Sequence, residues 1–154
     1  TPTYFMDENG NYVYDFCRGN AGQDLYDCIQ KNVDECLEAG AEYAVTQLFY
    51  DNRKYFEFVD KVKAAGINIP IIPGIKPFRK QSQLTVIPKT FKVDIPQELA
   101  LEALKCTNDE ATEALGVEWC IHQCKELIEH GVLSIHFYSV GAVESIKQVA
   151  KVIY

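Results

Sequence analysis

The chain has 154 residues, 47% of them apolar and 24% charged, with a net charge of −7. That size and balance predict one globular domain with a sizeable core. The acidic charge argues against nucleic acid or an anionic membrane surface as a partner, and no apolar run approaches the roughly 20 residues a membrane helix needs.

The opening Thr1-Pro2-Thr3-Tyr4 shows neither the basic nor the apolar region of a signal peptide. The six cysteines (Cys17, Cys28, Cys36, Cys106, Cys120 and Cys124) form no CxxC pair. A disulfide scaffold would be shorter and richer in loops, so reduced thiols in a cytoplasmic protein are expected.

Taken in order, Tyr4-Phe5-Met6 and Tyr12-Val13-Tyr14 flank Asn9-Gly10, which predicts a β-hairpin. Cys17 to Gly22 reads as a loop without a GxGxxG fingerprint, a weak candidate for holding phosphate. Asp24 to Ala39 has helical apolar spacing and ends at Gly40. Residues 43–50 follow as a strand expected to be buried on both faces. Gln47 interrupts it. A buried amide needs partners, so Gln47 is either tied to neighbouring backbone or placed at the ligand-binding mouth of a parallel sheet.

Asp51-Asn52 predicts the cap of a helix over 53–65, with Phe56, Val59 and Val62 inward and Gly66 as its stop. Ile71 to Ile75 reads as a short strand, with Pro73-Gly74 suggesting a bulge or bend close to a bound group. Residues 80–91 predict a short helix that could end before Pro88. Pro96 opens another helix, to about Cys106. Asn108 or Asp109 caps a long helix to about His130, interrupted by Gly116, with Leu115, Trp119, Cys120, Gln123, Leu127 and Ile128 on its inner side. Ser134 to Tyr138 predicts a buried strand. Residues 142–153 predict a last helix with Val143, Ile146, Val149, Ala150 and Ile153 inward. The alternation implies an α/β fold: a parallel sheet of three or four strands with right-handed crossover helices, too few to close a barrel.

Four segments together resemble the 5,10-methylenetetrahydrofolate reductase family: Ala39-Gly40-Ala41, Thr46 to Asp51, Ile71 to Pro77, and His136-Phe137-Tyr138. The likeness runs from about Asn32 to the C-terminus. It implies strands six to eight of a (β/α)8 barrel, with residues 1–22 as a hairpin extension and 23–154 as the family-like region of a single partial-barrel domain. The family reduces 5,10-methylenetetrahydrofolate to 5-methyltetrahydrofolate with NAD(P)H through FAD, so these cofactors and a folate substrate are what the resemblance implies. On the same ground Gln47, Gln83 and Tyr138 would contact the folate, and Asn32 the flavin. The family's catalytic glutamate and aspartate belong to barrel strands that this chain does not include.

Some positions depart from the family pattern. A basic Arg-Lys pair that holds the flavin phosphates is replaced by Glu35 and Cys36, and a carboxylate facing a diphosphate is repulsive. An Asn-Arg pair after the last-strand tyrosine is replaced by Gly141 and Ala142, and a substrate-stacking aromatic by Ile87.

Other clusters have a plain reading beside a functional one. Cys120 and Cys124, with His122 between them, are two core thiols or half of a zinc site. His136 is a core histidine or a general acid, and the resemblance favours the core. His130 fits a helix C-terminus. Lys76, Arg79 and Lys80 are a solvated loop or the receiver of a folate tail or a phosphate. An open parallel edge also invites association, so the rival to a reductase is a non-catalytic partial barrel that binds no flavin. It would pair with a partner chain or with itself as a homo-oligomer.

Overall fold

A computed structural model of the chain describes residues 4–6, 12–14, 35, 36 and 38–154. Asn32, Cys17, Cys28, the 17–22 loop and most of the predicted 24–39 helix lie outside them. The chain divides into two compact units, Thr1–Glu42 and Tyr43–Tyr154.

In the first unit, β1 (Tyr4–Met6) pairs antiparallel with β2 (Tyr12–Tyr14) in the register Tyr4↔Tyr14, Phe5↔Val13, Met6↔Tyr12. This is the predicted hairpin. Glu35, Cys36 and Glu38 are helical, and the turn that follows reaches Gly40 at φ +90°.

The second unit is a three-stranded parallel sheet in the order β3 (Ala44–Leu48), β4 (Ile71–Ile75), β5 (His136–Phe137). Five helices accompany it: α1 (Asn52–Ala64), α2 (Gln83–Phe91), α3 (Gln97–Lys105), α4 (Asp109–Glu129) and α5 (Val143–Ile153). Their starts follow local chemistry. The Asp51 carboxylate accepts the Arg53 N–H at 3.1 Å, and the Asn108 side chain accepts that of Ala111 at 2.8 Å. α2 runs through Pro88 and stops where Lys92 turns left-handed, at φ 57°.

The core lies between the sheet and its helices. Ile75 packs with Tyr55, Val117, Cys120, Cys124, Leu127 and Val149. A second cluster, Leu48, Tyr50, Phe78, Ile87, Leu99 and Ala103, fills the space by α2 and α3. The Tyr55 hydroxyl donates to the Ile71 carbonyl at 2.6 Å and ties α1 to β4.

The parallel α/β sheet with crossover helices is as predicted, and several details are not. β3 is buried on one face only: Val45 is 39% exposed and Gln47 is exposed. Within the second unit the helices pack on the sheet through Ile75, and the Tyr138 ring lies against Gly74. β5 shrinks to two residues, with His136 exposed rather than in the core. Val143 and Ile128 point outward, at 52% and 41% exposed, and Ser145 and Thr112 take buried helix positions instead.

Gly116 does not interrupt α4. It lets the helix press on the loop after β4, where an added Cβ would stand 1.6 Å from the Phe78 carbonyl oxygen. Gly116→Ala is therefore expected to lower the unfolding free energy by about 2–3 kcal/mol, as overpacking does. Urea unfolding followed by circular dichroism measures it, and an unchanged midpoint contradicts the contact.

Candidate functional site

The C-terminal ends of β3, β4 and β5 form the mouth of the sheet, where parallel α/β folds place ligands. The ladder between β3 and β4 is irregular there. Val45 pairs with Ile72 and Leu48 with Gly74, so β3 spends one extra residue at Thr46-Gln47. This is a β-bulge, a device that re-aims a side chain. It lies on β3, and not at Pro73-Gly74 where the sequence suggests one.

Three residues hold the bulge. The Gly74 N–H donates to Thr46 Oγ1 at 3.0 Å, the Thr46 hydroxyl donates to the Gln47 carbonyl at 2.9 Å, and the Tyr138 hydroxyl donates to the Thr46 carbonyl at 2.8 Å. Tyr138 thus reaches from the end of β5 across β4 to β3. Only glycine permits this crossing, because a Cβ at position 74 would meet the Thr46 oxygen at 2.4 Å and the Tyr138 ring at 2.6 Å. His136 pairs with Gly74, shares its face, and stands edge-on to the Tyr138 ring at 4.7 Å.

Gln47 is exposed, not a buried amide. Its Oε1 accepts the Leu48 N–H at 2.9 Å. Gln83, the first residue of α2, is placed alike: its Oε1 accepts the N–H groups of Arg79 at 2.6 Å and Lys80 at 3.1 Å from the preceding loop. Only an oxygen can accept these donors, so each amide has its nitrogen left for other groups. The structure brings Gln47 and Tyr138 together through Thr46. Among the described residues no hydrogen bond joins Gln83 to either. Asn32 lies outside those residues.

The loop after β4 is clamped. Arg79 grips Glu113 of α4 with Nε at 3.1 Å and Nη2 at 3.2 Å, and buried Ser145 of α5 donates to the same carboxylate. Lys76 Nζ donates to the Val140 carbonyl at 2.6 Å. Lys80 meets Asp109 at 2.8 Å as an exposed pair of little energetic weight. The Arg79 and Ser145 hydrogen bonds hold the Glu113 carboxyl below its usual range, while burial and the neighbouring Arg79 charge lower Lys76.

Other candidates resolve into the fold. Cys120 and Cys124 are buried in the core, and their mutual contact and burial push the Cys120 thiol up, away from thiolate chemistry. His122 is exposed. Ile87 is 2% exposed inside the second core cluster. Nothing in the apolar pattern signals the Thr46 tie or the Arg79–Glu113–Ser145 clamp. A threonine beside a glutamine, facing a Pro-Gly strand, was the available sign of the first.

A family model described as methylenetetrahydrofolate reductase matches residues 9–153. The chain belongs to the methylenetetrahydrofolate reductase family. It is 35% identical over 148 residues to methylenetetrahydrofolate reductase 1 of Schizosaccharomyces pombe, covering 90% of this chain and 24% of that protein. It is 40% identical over 119 residues to the NADH-dependent methylenetetrahydrofolate reductase 1 of Arabidopsis thaliana, covering 76% of this chain and 19% of that protein. Against the 5,10-methylenetetrahydrofolate reductase of Salmonella typhimurium, identity is 34%, covering 73% and 38%. The chain therefore spans well under half the length of these relatives. Among solved structures, an uncharacterized protein from Clostridium thermocellum that binds two copies of 5-methyl-5,6,7,8-tetrahydrofolic acid matches with a TM-score of 0.57 at 19% identity, over 81% of this chain and 48% of that one. That likeness concerns the fold, and the three parallel strands with their helices are consistent with part of a (β/α)8 barrel.

The clamp carries a pH signature. Glu113 has a lowered folded-state pKa, so its contribution is full above the usual glutamate value of 4.5 and drains away as pH falls below it. Thermal melts should show wild type above Glu113→Gln at pH 7, with the gap closing toward pH 3.5. A gap that persists at acid pH contradicts the pairing.

Proposed function

We propose that this chain forms the folate-facing wall of a methylenetetrahydrofolate reductase, with Gln47, Gln83 and Tyr138 as its substrate residues. One observation carries the reading: Gln47 is displayed on a bulge at the strand ends, its oxygen held by backbone and its amide nitrogen left to donate. Gln83 offers the same chemistry from the first turn of α2. A pterin ring presents carbonyl and ring-nitrogen acceptors, which two NH2 groups suit. Tyr138 ties the bulge through the Thr46 carbonyl, and its ring makes a T-shaped contact with His136. The glutamines orient the ring and transfer no proton. The family relation and the folate-binding fold neighbour support this reading.

The reaction of the whole protein would be reduction of 5,10-methylenetetrahydrofolate to 5-methyltetrahydrofolate, with FAD and NAD(P)H as the family resemblance implies. This chain's own residues do not fit the flavin diphosphate. Glu35 and Cys36 are exposed and bring no cation where the family has two, so these positions offer the phosphates no opposite charge. Asn32 remains the proposed flavin contact. Among the described residues β3 and β5 are edge strands, and such open parallel edges suit completion by further strands, from another polypeptide segment, a partner chain or a second copy. Among the described residues no helix is long and apolar enough to cross a membrane, and the free thiols fit a reducing, cytoplasmic setting.

Calorimetric titration with 5-methyltetrahydrofolate tests the proposal. Saturable binding is expected, weakened about tenfold in Gln47→Ala through loss of one hydrogen bond. Absence of binding, or a Gln47→Ala affinity equal to wild type, rejects the role. FAD added to the same sample should stay unbound, and uptake of the cofactor would overturn the reading of Glu35.

A further inference from the structure

Lys76 and Arg79 stand together at the mouth. Both lean on the loop after β5: Lys76 Nζ bonds the Val140 carbonyl, and Arg79 Nη1 lies 3.4 Å from where a Gly141 Cβ would be. Gly141 adopts φ +67° and carries no side chain to fill that space. Arg79 spends Nε and Nη2 on Glu113, which leaves the Nη1 edge toward Gly141. Glu113 neutralises one of the two cations. Among the described residues no carboxylate pairs with Lys76, although it is partly buried and its one bond here uses a single N–H of three. An unneutralised, partly desolvated ammonium beside a guanidinium is an unfavourable arrangement that an incoming anion relieves.

We infer that Lys76 and the Nη1 edge of Arg79 form a carboxylate-receiving site at the mouth, which takes the acidic glutamate end of the folate ligand. The inference rests on the folate reading above and adds to it the group that recognises the ligand's far end. The clamp explains why the site is firm. Glu113, Ser145 and Gln83 hold the Arg79 side chain and backbone, so the guanidinium is in place before any ligand arrives. A ligand with a planar ring at one end and carboxylates at the other would meet amide donors at Gln47 and cations at Lys76 and Arg79.

Two probes separate the ends of the ligand: 5-methyltetrahydrofolate, and 6-methyltetrahydropterin, which has the ring without the glutamate. In Lys76→Met, affinity for 5-methyltetrahydrofolate should fall about tenfold, as expected for one charge-assisted hydrogen bond. Affinity for the pterin should stay at the wild-type value. Lys76→Arg should restore most of the loss. Raising salt should weaken folate binding in wild type more than in Lys76→Met. Equal folate affinity in wild type and Lys76→Met overturns the inference. So does an equal loss for both probes, which would mean that Lys76 only anchors the Val140 loop. Wild type that binds neither probe removes the folate reading itself, whereas pterin binding without tail dependence removes this inference alone.

Discussion

The tie between Thr46, Gly74 and Tyr138 governs the arrangement of the mouth. A bulge in a parallel ladder leaves a donor and an acceptor out of register, and each needs a partner. Here the Gly74 N–H finds the Thr46 hydroxyl, and the Thr46 carbonyl finds the Tyr138 phenol. The result links all three strands at one point with side chains where the backbone ladder fails. Gln47 owes its exposed position to that repair. The close approach leaves no room for any side chain at position 74.

Behind the mouth, helix packing sets the loop that follows β4. Gly116 brings α4 against the Phe78 backbone, and Phe78 itself is 1% exposed in the second core cluster. One residue later Arg79 turns outward and is caught by Glu113 and, through it, Ser145. The packing contact and the charged clamp thus act on adjacent residues from one face of α4, Gly116 on Phe78 and Glu113 on Arg79. Because Glu113 and Ser145 sit on α4 and α5, the loop is fixed to both helices, and the cations it carries inherit the rigidity of the core.

Much of this was legible in the residues. The alternation of apolar runs and capped helices specified the parallel sheet. Asp51, Asn108 and Pro96 marked helix starts to within a residue. The Asn-Gly hairpin appears as β1–β2. The family was legible too, because Thr46-Gln47-Leu48-Phe49-Tyr50-Asp51 and the Pro-Gly strand are specific in combination. Burial was harder. An apolar run such as Ala44 to Leu48 reads the same whether one or both faces are covered, so the exposure of Val45 and Gln47 depends on what lies opposite. The bulge was misplaced because Pro-Gly is a local signal, whereas the extra residue sits on the neighbouring strand and depends on long-range register. The clamp joins residues far apart in sequence, and no short spacing announces it.

The open edges of the sheet bear on how this part of the fold assembles. β3 and β5 each present one unpaired ladder edge among the described residues, flanking a surface that includes Val45 and Ile72. Parallel strands join through long crossovers, so such a sheet assembles slowly and stays adhesive while it waits. Whatever supplies the neighbouring strands therefore sets how soon these ladder groups find partners.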